Sequence, residues 1–266
     1  MTQAEKAYRF RELHAGPPIL VLPNAWEVAG AKLFQQAGFP AIATTSAGIA
    51  NALGYPDGER ISRDEMLDVV ARIARAVDLP VTADVEAGYG DPVATAKAVA
   101  AAGAVGMNLE DWHAEKGDTL VDIDQQCALI RQIRGLGLPI VVNARTDVFL
   151  AGIGDPETRL QRTIERLAAF HDAGADSLFA PGVRDAATIG ALARALPGPL
   201  NVLATPGMPS IAELEKLGVA RVSVGSGIAR AVLAVTRRIA NDLRAGSCDS
   251  MFAEQIPYAE LNRFFE

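Results

Sequence analysis

The chain predicts an α/β protein, a (β/α)8 barrel, and three observations carry that expectation. Short apolar runs bounded by turn residues recur along its length. Helical stretches separate them. The 266 residues suit one barrel domain or two small ones, and eight strand–helix units in about 250 residues is the size of a closed barrel.

Taken in order, the predicted strands are Ile19–Leu22, Ala41–Thr45, Val81–Val85, Val105–Leu109, Ile140–Asn143, Ser177–Ala180, Leu200–Leu203 and Arg221–Val224. Most follow a helix-stop phrase such as AGFPAIATT, AGAVGMNLE or LGVARVSVG, where a glycine takes the left-handed conformation before a buried strand. The intervening segments SRDEMLDVVARIARAV, DPVATAKAVAAAG, DIDQQCALIRQIRGLG and PETRLQRTIERLAAFHDAG read as helices. They open on Ser or acidic residues and close on basic ones, as the helix dipole favours. A doubly wound open sheet is the structural alternative, but the first strand–helix turn, PNAWEVAGAK, is not a G-x-G-x-x-G. No linker divides the chain, so residues 1–266 are expected to form one barrel domain, with 229–266 as a helical extension. The aromatic tail SMFAEQIPYAELNRFFE is expected to pack on the barrel or on a neighbouring subunit.

Composition narrows the partners. Half of the residues are apolar and the formal net charge is −7, with both signs interspersed. Such a chain is a poor general binder of nucleic acid or of an anionic membrane. The N-terminal segment MTQAEKAYRFRELHAG lacks the apolar core of a secretory signal, and no apolar run reaches about 18 residues. Two cysteines, Cys127 and Cys248, make neither a disulfide framework nor a thiolate metal site. Together these features lead to a cytoplasmic expectation.

In a barrel, chemistry gathers at the C-terminal ends of the strands. Here those ends carry Asn24; Thr44, Thr45 and Ser46; Asp84 and Glu86; Glu110 and Asp111; Asn143, Arg145 and Asp147; Asn201; and Ser223, Gly225 and Ser226. So many carboxylates on one rim need a cation. Oxygen donors without nearby His or Cys favour a hard divalent ion, Mg²⁺ or Mn²⁺. Asp84 is the candidate direct ligand, with Glu86 and Glu110 holding the ion's waters. The plainer alternative is that these acids cap helices or pair with arginine, as Asp91 and Asp155 are expected to do. Arg145 reads equally as a structural ion pair or as a clamp for a substrate carboxylate. The VGSG turn at 224–227 is either a phosphate-binding turn or a tight strand–helix connection. Asn201 joins the substrate-binding candidates. Of the histidines, His14 is expected in solvent and His171 at a helix end. His113, in the loop after the fourth strand, is the histidine placed beside the site.

These residues resemble the isocitrate lyase / phosphoenolpyruvate mutase superfamily. The motifs are LPNAW at 22–26, TTSAGIANALGYPD at 44–57, TADVEAGYGD at 82–91, NLED at 108–111 and NARTD at 143–147, and with FAPG and GVARVSVGSG they span nearly the whole chain. The resemblance implies a (β/α)8 barrel, a C-terminal helix exchanged between subunits of a homodimer or homotetramer, and Mg²⁺ bound with a small 2-oxo acid. It implies Asp84 as direct ligand, and Asp57, Glu86 and Glu110 around the ion's waters. Thr45, Ser46 and Ala47 are implied at the substrate carboxylate, and Arg145 as the clamp. The chemistry implied is cleavage through a pyruvate-like enolate. One departure stands out. Lyases of this family carry K-K-C-G-H or K-R-C-G-H after the fourth strand, whereas EDWHAEKGDTLVDID has no cysteine. FAPG also lacks the histidine expected of a mutase. The proton donor is therefore sought among His113, Glu115, Lys116 and Asp118. A carbon–carbon lyase or decarboxylase is the preferred expectation. The alternatives are a phosphonopyruvate hydrolase or mutase, and a non-catalytic binder of 2-oxo acids.

Overall fold

The computed structural model describes residues 1–112 and 119–266. The chain begins with α1 (Gln3–Glu12), β1 (Leu20–Leu22), β2 (Asn24–Ala25), α2 (Val28–Gln36), β3 (Ile42–Thr44), α3 (Ser46–Ala52), α4 (Arg63–Ala76) and β4 (Val81–Asp84). It continues through α5 (Pro92–Ala101), β5 (Gly106–Glu110), α6 (Ile123–Gly135), β6 (Val141–Arg145), α7 (Arg159–Asp172) and β7 (Ser177–Phe179). The last elements are α8 (Ala186–Ala195), β8 (Leu200–Leu203), α9 (Ile211–Lys216), β9 (Arg221–Ser223), α10 (Gly227–Arg244), α11 (Asp249–Phe252) and α12 (Tyr258–Arg263).

All strand pairs are parallel, in the order β1-β9-β8-β7-β6-β5-β4-β3-β2. The first predicted strand, Ile19–Leu22, matches β1, and the short further strand β2 after Pro23 was not expected. β1 pairs with β9 and β2 with β3, so the barrel closes across that proline. Proline has no N–H to give the ladder. Asn24 spans the gap instead: its Oδ1 accepts from the N–H groups of Val224 and Gly225 at 2.9 and 3.0 Å, and its Nδ2 donates to Thr44 O at 2.7 Å. The VGSG turn is thus tied down by the seam, with two of its N–H groups already used.

The helices start where local chemistry dictates. Ser62 and Glu65 form a reciprocal capping box on α4, which buries Met66, Leu67, Val70 and Ile73 at helical spacing. Asp91 caps α5 with Pro92 in its first turn. Asp155 does not cap α7; its carboxylate accepts from Glu157 N within the preceding turn, and α7 starts at Arg159 rather than at Pro156. Cys127 faces the core, as expected of a buried thiol.

Strand residues alternate between two environments. Ala83, Met107, Leu109, Val142, Ala144, Leu178, Val202 and Val222 pack outward with the helices in the main core. Their neighbours Thr82, Asn108, Asn143, Ser177, Asn201, Arg221 and Ser223 point inward and are buried. The lumen is therefore polar along most of its circumference. α1 closes its N-terminal mouth: Gln3 bonds Ala100 O and Ala104 O, Lys6 bonds Val77 O, and Arg11 pairs with Asp176. Phe10 enters the barrel beside Gly106, where a Cβ would meet Thr82 Oγ1 at 2.7 Å and Phe10 Cε1 at 3.0 Å. His14 follows Phe10 inside rather than lying in solvent. Its Nδ1 contacts Phe10 O at 2.8 Å, and burial pushes its pKa down to about 3, with the charge of Arg221 adding to the effect.

The extension differs from the barrel. In α10 Ala229 alone is buried, while Val232, Leu233, Val235 and Leu243 are exposed. α11 and α12 fold back towards α10, and Lys32 lies 5.7 Å from the Phe265 ring centroid, but Phe252, Tyr258 and Phe265 remain largely exposed. Within one chain the tail does not cover its apolar surface against the barrel. Among the described residues no helix is long and apolar enough to cross a membrane.

Candidate active site

The C-terminal mouth of the barrel gathers most of the expected residues. Thr45 caps α3, accepting from Gly48 N at 3.3 Å, and Gly48 sits so close to Trp26 that a Cβ would lie 3.0 Å from the tryptophan Cβ. The LPNAW and TTSAG motifs are thereby packed against each other. The tight start of α3 presents Ser46, with Ala47 next to it and half-buried. Ser46 donates to Asp84 Oδ2 twice, from its N at 3.0 Å and its Oγ at 2.9 Å. Asp84 Oδ1 accepts from Asn108 Nδ2 at 3.1 Å. Behind Asn108 the polar lumen forms a file in which Asn143 donates to Asn108 at 2.7 Å and Ser177 to Asn143 at 2.6 Å. Asp84 is thus held from both sides at the end of β4.

Glu86 and its surroundings are strained. Glu59, Glu86 and Tyr89 all have left-handed backbones, with φ of 57°, 50° and 53°. Their bonds interlock: Glu59 N donates to Glu86 Oε2 at 2.8 Å, Tyr89 OH to Glu86 Oε1 at 3.2 Å, and Tyr89 N to Glu59 Oε1 at 2.6 Å. Gly88, at φ 98° and packed on Pro92, supplies the turn that makes this possible. The clasp joins the loop bearing Asp57 to the end of β4. Glu59 and Tyr89 were not among the expected site residues; the tyrosine between two glycines in GYG was the available signal.

The carboxylates resist ionisation together. Burial pushes Glu86 up to about 8, with Asp57 and Asp84 adding repulsion. Asp57 is raised by burial and by Asp84. Glu110 is raised by burial, against the pull of Arg145. Arg145 ends β6 with its Nη1 2.8 Å from Glu110 Oε2, and its Nε and Nη2 2.7 and 2.9 Å from the two oxygens of Asp147. Its centre lies 5.6 Å from the Phe179 ring centroid. Burial opposes its charge, but Asp147 and Glu110 outweigh that and keep it protonated. The ion-pair expectation therefore holds locally. A guanidinium carries five N–H donors, so a ligand carboxylate could still be met.

Other residues fall elsewhere. Asp111, expected on the same rim, turns away between β5 and α7, because adjacent strand residues face opposite sides. It accepts from Arg166 Nε at 2.7 Å and from Asp147 N at 3.0 Å. Asn201 is fully buried in the lumen, where its Oδ1 accepts from Ser223 Oγ at 3.2 Å. His113, Glu115, Lys116 and Asp118 lie outside the described residues.

The donor set fits a hard divalent ion. It is all oxygen, its acids are destabilised by one another's charge, and the central one is preoriented by three hydrogen bonds. Among the described residues no three such side chains cluster closely enough to ligate an ion directly.

Known proteins resemble this chain in sequence and fold. Residues 10–244 match the model of the phosphoenolpyruvate phosphomutase family. An uncharacterized protein of Mycobacterium tuberculosis is 39% identical over 254 residues, covering 95% of this chain and 94% of its own. The 2-methylisocitrate lyase of Bacillus subtilis is 30% identical, covering 75% of this chain and 67% of its own. Oxaloacetate decarboxylase 2 of Pseudomonas fluorescens is 29% identical, with 81% and 75% covered. Among solved structures, a Burkholderia cenocepacia protein assigned provisionally as a lyase or mutase superposes with a TM-score of 0.90 at 41% identity, covering 99% and 96% of the two chains. A phosphonopyruvate hydrolase complexed with oxalate and Mg²⁺ gives 0.85 at 26% identity, covering 100% and 95%. The barrel, the motifs at its mouth and these relatives together make the chain a member of the phosphoenolpyruvate phosphomutase family, within the isocitrate lyase / phosphoenolpyruvate mutase superfamily.

Proposed function

We propose that this chain is a Mg²⁺-dependent enzyme, with Mn²⁺ as a substitute ion, that cleaves a carbon–carbon bond in a small 2-oxo acid or its adduct. The reaction is decarboxylation or retro-aldol cleavage, and the substrate is oxaloacetate-, 2-oxoglutarate- or 2-methylisocitrate-like. The observation that carries this reading is the preoriented Asp84, held by Ser46 and Asn108 among Asp57, Glu86 and Glu110, with Arg145 opposite. Asp84 would hold the ion, and Glu86, Glu110 and Asp57 its waters. When bound, the ion supplies positive charge to the 2-oxo group. Arg145 binds and orients a substrate carboxylate, and it is pre-set for this by Asp147 and Phe179. The start of α3, at Thr45, Ser46 and Ala47, lines the other side. Buried Asn201 then acts behind the substrate. His113, which follows β5 in the sequence, is the proton-donor candidate. The oxaloacetate decarboxylase and 2-methylisocitrate lyase among the relatives favour carbon–carbon chemistry. The phosphonopyruvate hydrolase favours a second reading, carbon–phosphorus cleavage.

A thermal-shift screen tests these readings. The Mg²⁺-loaded protein is mixed with oxaloacetate, 2-oxoglutarate, pyruvate, phosphonopyruvate or 2-methylisocitrate, and the products of every stabilising ligand are analysed. Mg²⁺-dependent stabilisation with carbon–carbon cleavage supports the first reading, and phosphate release supports the second. Stabilisation without turnover makes the protein a binder of 2-oxo acids, and no stabilisation by any of them overturns all three.

We also propose that the 229–266 extension of this barrel domain is exchanged between subunits of a homodimer or homotetramer. The exposed Val232, Leu233, Val235 and Phe252 support this. A monomeric mass by light scattering would overturn it.

A further inference from the structure

Arg221, at the start of β9, is the largest fully buried side chain among the described residues. Its Nε donates to Ser223 Oγ at 3.2 Å, which in turn donates to Asn201. Its Nη1 and Nη2 have no hydrogen-bond partner among the described residues. Below it lies the Phe10 ring, 5.9 Å from the guanidinium centre, and beside that ring His14, which burial and Arg221 itself keep neutral. Among the described residues no carboxylate is paired with it, and Asp84 is the acid whose charge acts on it. Burial draws its pKa down to about 9, so it remains a cation at neutral pH.

An unpaired charge inside a protein is costly unless something offsets it. The offset is visible at the opposite mouth. There Asp57, Asp84, Glu86 and Glu110 repel one another, and Arg145, which pairs with Glu110, is shared with Asp147. The Phe10 ring reaches from Arg221 to Gly106 and Thr82, and Thr82 stands on β4 two residues before Asp84, with all of these side chains buried. We infer that Arg221 is an electrostatic positioning residue, which offsets the charge of Asp84 from inside the barrel and sets how tightly the site takes a divalent cation. The inference rests on the metal reading of the site proposed above.

The test uses Mn²⁺ alone, titrated into the unsubstituted protein, Arg221→Lys and Arg221→Met, with the free ion read by electron paramagnetic resonance. Removing the charge takes away a repulsion of the incoming ion. Arg221→Met should therefore bind Mn²⁺ about tenfold more tightly, the size of a unit-charge repulsion across about 12 Å at an effective dielectric of about 20. Arg221→Lys should stay within about threefold of the unsubstituted protein, since it keeps the charge. Melting temperature gives a second readout, with a sign that separates the two roles. An uncompensated cation with no such duty is a burden, and an apolar replacement raises the metal-free melting temperature. As a counter-charge its loss lowers that temperature, and saturating Mn²⁺ closes the gap. Should Arg221→Met fail to fold, Arg221→Gln against Arg221→Lys makes the same comparison. Unchanged Mn²⁺ affinity on loss of the charge, or a higher metal-free melting temperature, overturns the inference alone. No Mn²⁺ binding by the unsubstituted protein overturns the metal reading and this inference with it.

Discussion

Glu110 and Asp111 are neighbours at the end of β5, both buried and both bonded to an arginine, yet they belong to different parts of the molecule. Glu110 faces the barrel mouth and shares Arg145 with Asp147. Asp111 faces the helix layer and is fixed by Arg166 of α7, whose Nη2 also bonds Val121 O. Val121 N in turn donates to Asp111 O at 2.7 Å, so this pair fastens both ends of the segment between β5 and α6. The same chemistry serves as a fastening on one side of the strand and as a binding surface on the other. The difference lies in what else is near. Asp111 has its countercharge and its N–H donors, while Glu110 meets further acids whose charge Arg145 does not balance. A buried ion pair that is complete is structural; one left over-acidic is suited to a ligand.

The comparison can be broken or sharpened by substitution. The largest effect belongs to the mouth: Asp84→Ala should abolish Mg²⁺-dependent binding of a 2-oxo acid in calorimetry, and unchanged affinity would remove Asp84 from the metal site. Next comes the fastening. Arg166→Met leaves Asp111 buried without its cation and should cost about 3–5 kcal/mol of stability in denaturant titration. If the division drawn here holds, its Mn²⁺ affinity stays near that of the unsubstituted protein. Arg145→Ala should weaken 2-oxo acid binding by about 2–4 kcal/mol, the cost of a desolvated charge losing its partner; a change within error would make Arg145 structural like Arg166.

A smaller effect is expected with pH. Glu86 has its folded pKa raised from 4.5 to about 8, so between those values the folded protein holds a proton that the unfolded chain has released. Stability from this group is therefore present below about pH 4.5 and falls as the pH rises through about 8. Metal-free melting curves should show this decline, and Glu86→Gln should flatten it. Smallest is a control far from both regions. Ser62→Ala removes the cap of α4 and should cost about 1 kcal/mol without altering metal affinity.

The sequence by itself determined the alternation of strands and helices, because apolar runs and capping residues act locally. It also marked Asp84, Glu86, Glu110 and Arg145, since barrel strands place their C-terminal residues on one rim. Local pattern could not tell Glu110 from Asp111, because which of two adjacent acids faces the mouth depends on the phase of the strand. Nor could it assign Glu59 and Tyr89, whose left-handed backbones are sustained by contacts between two separate loops. His14 was expected in solvent and Arg221 was noted only as the start of a strand; closure of the barrel over α1 buries both. The tertiary structure decided these points because burial and charge compensation are properties of the closed barrel, set by strands and helices brought together from across the chain.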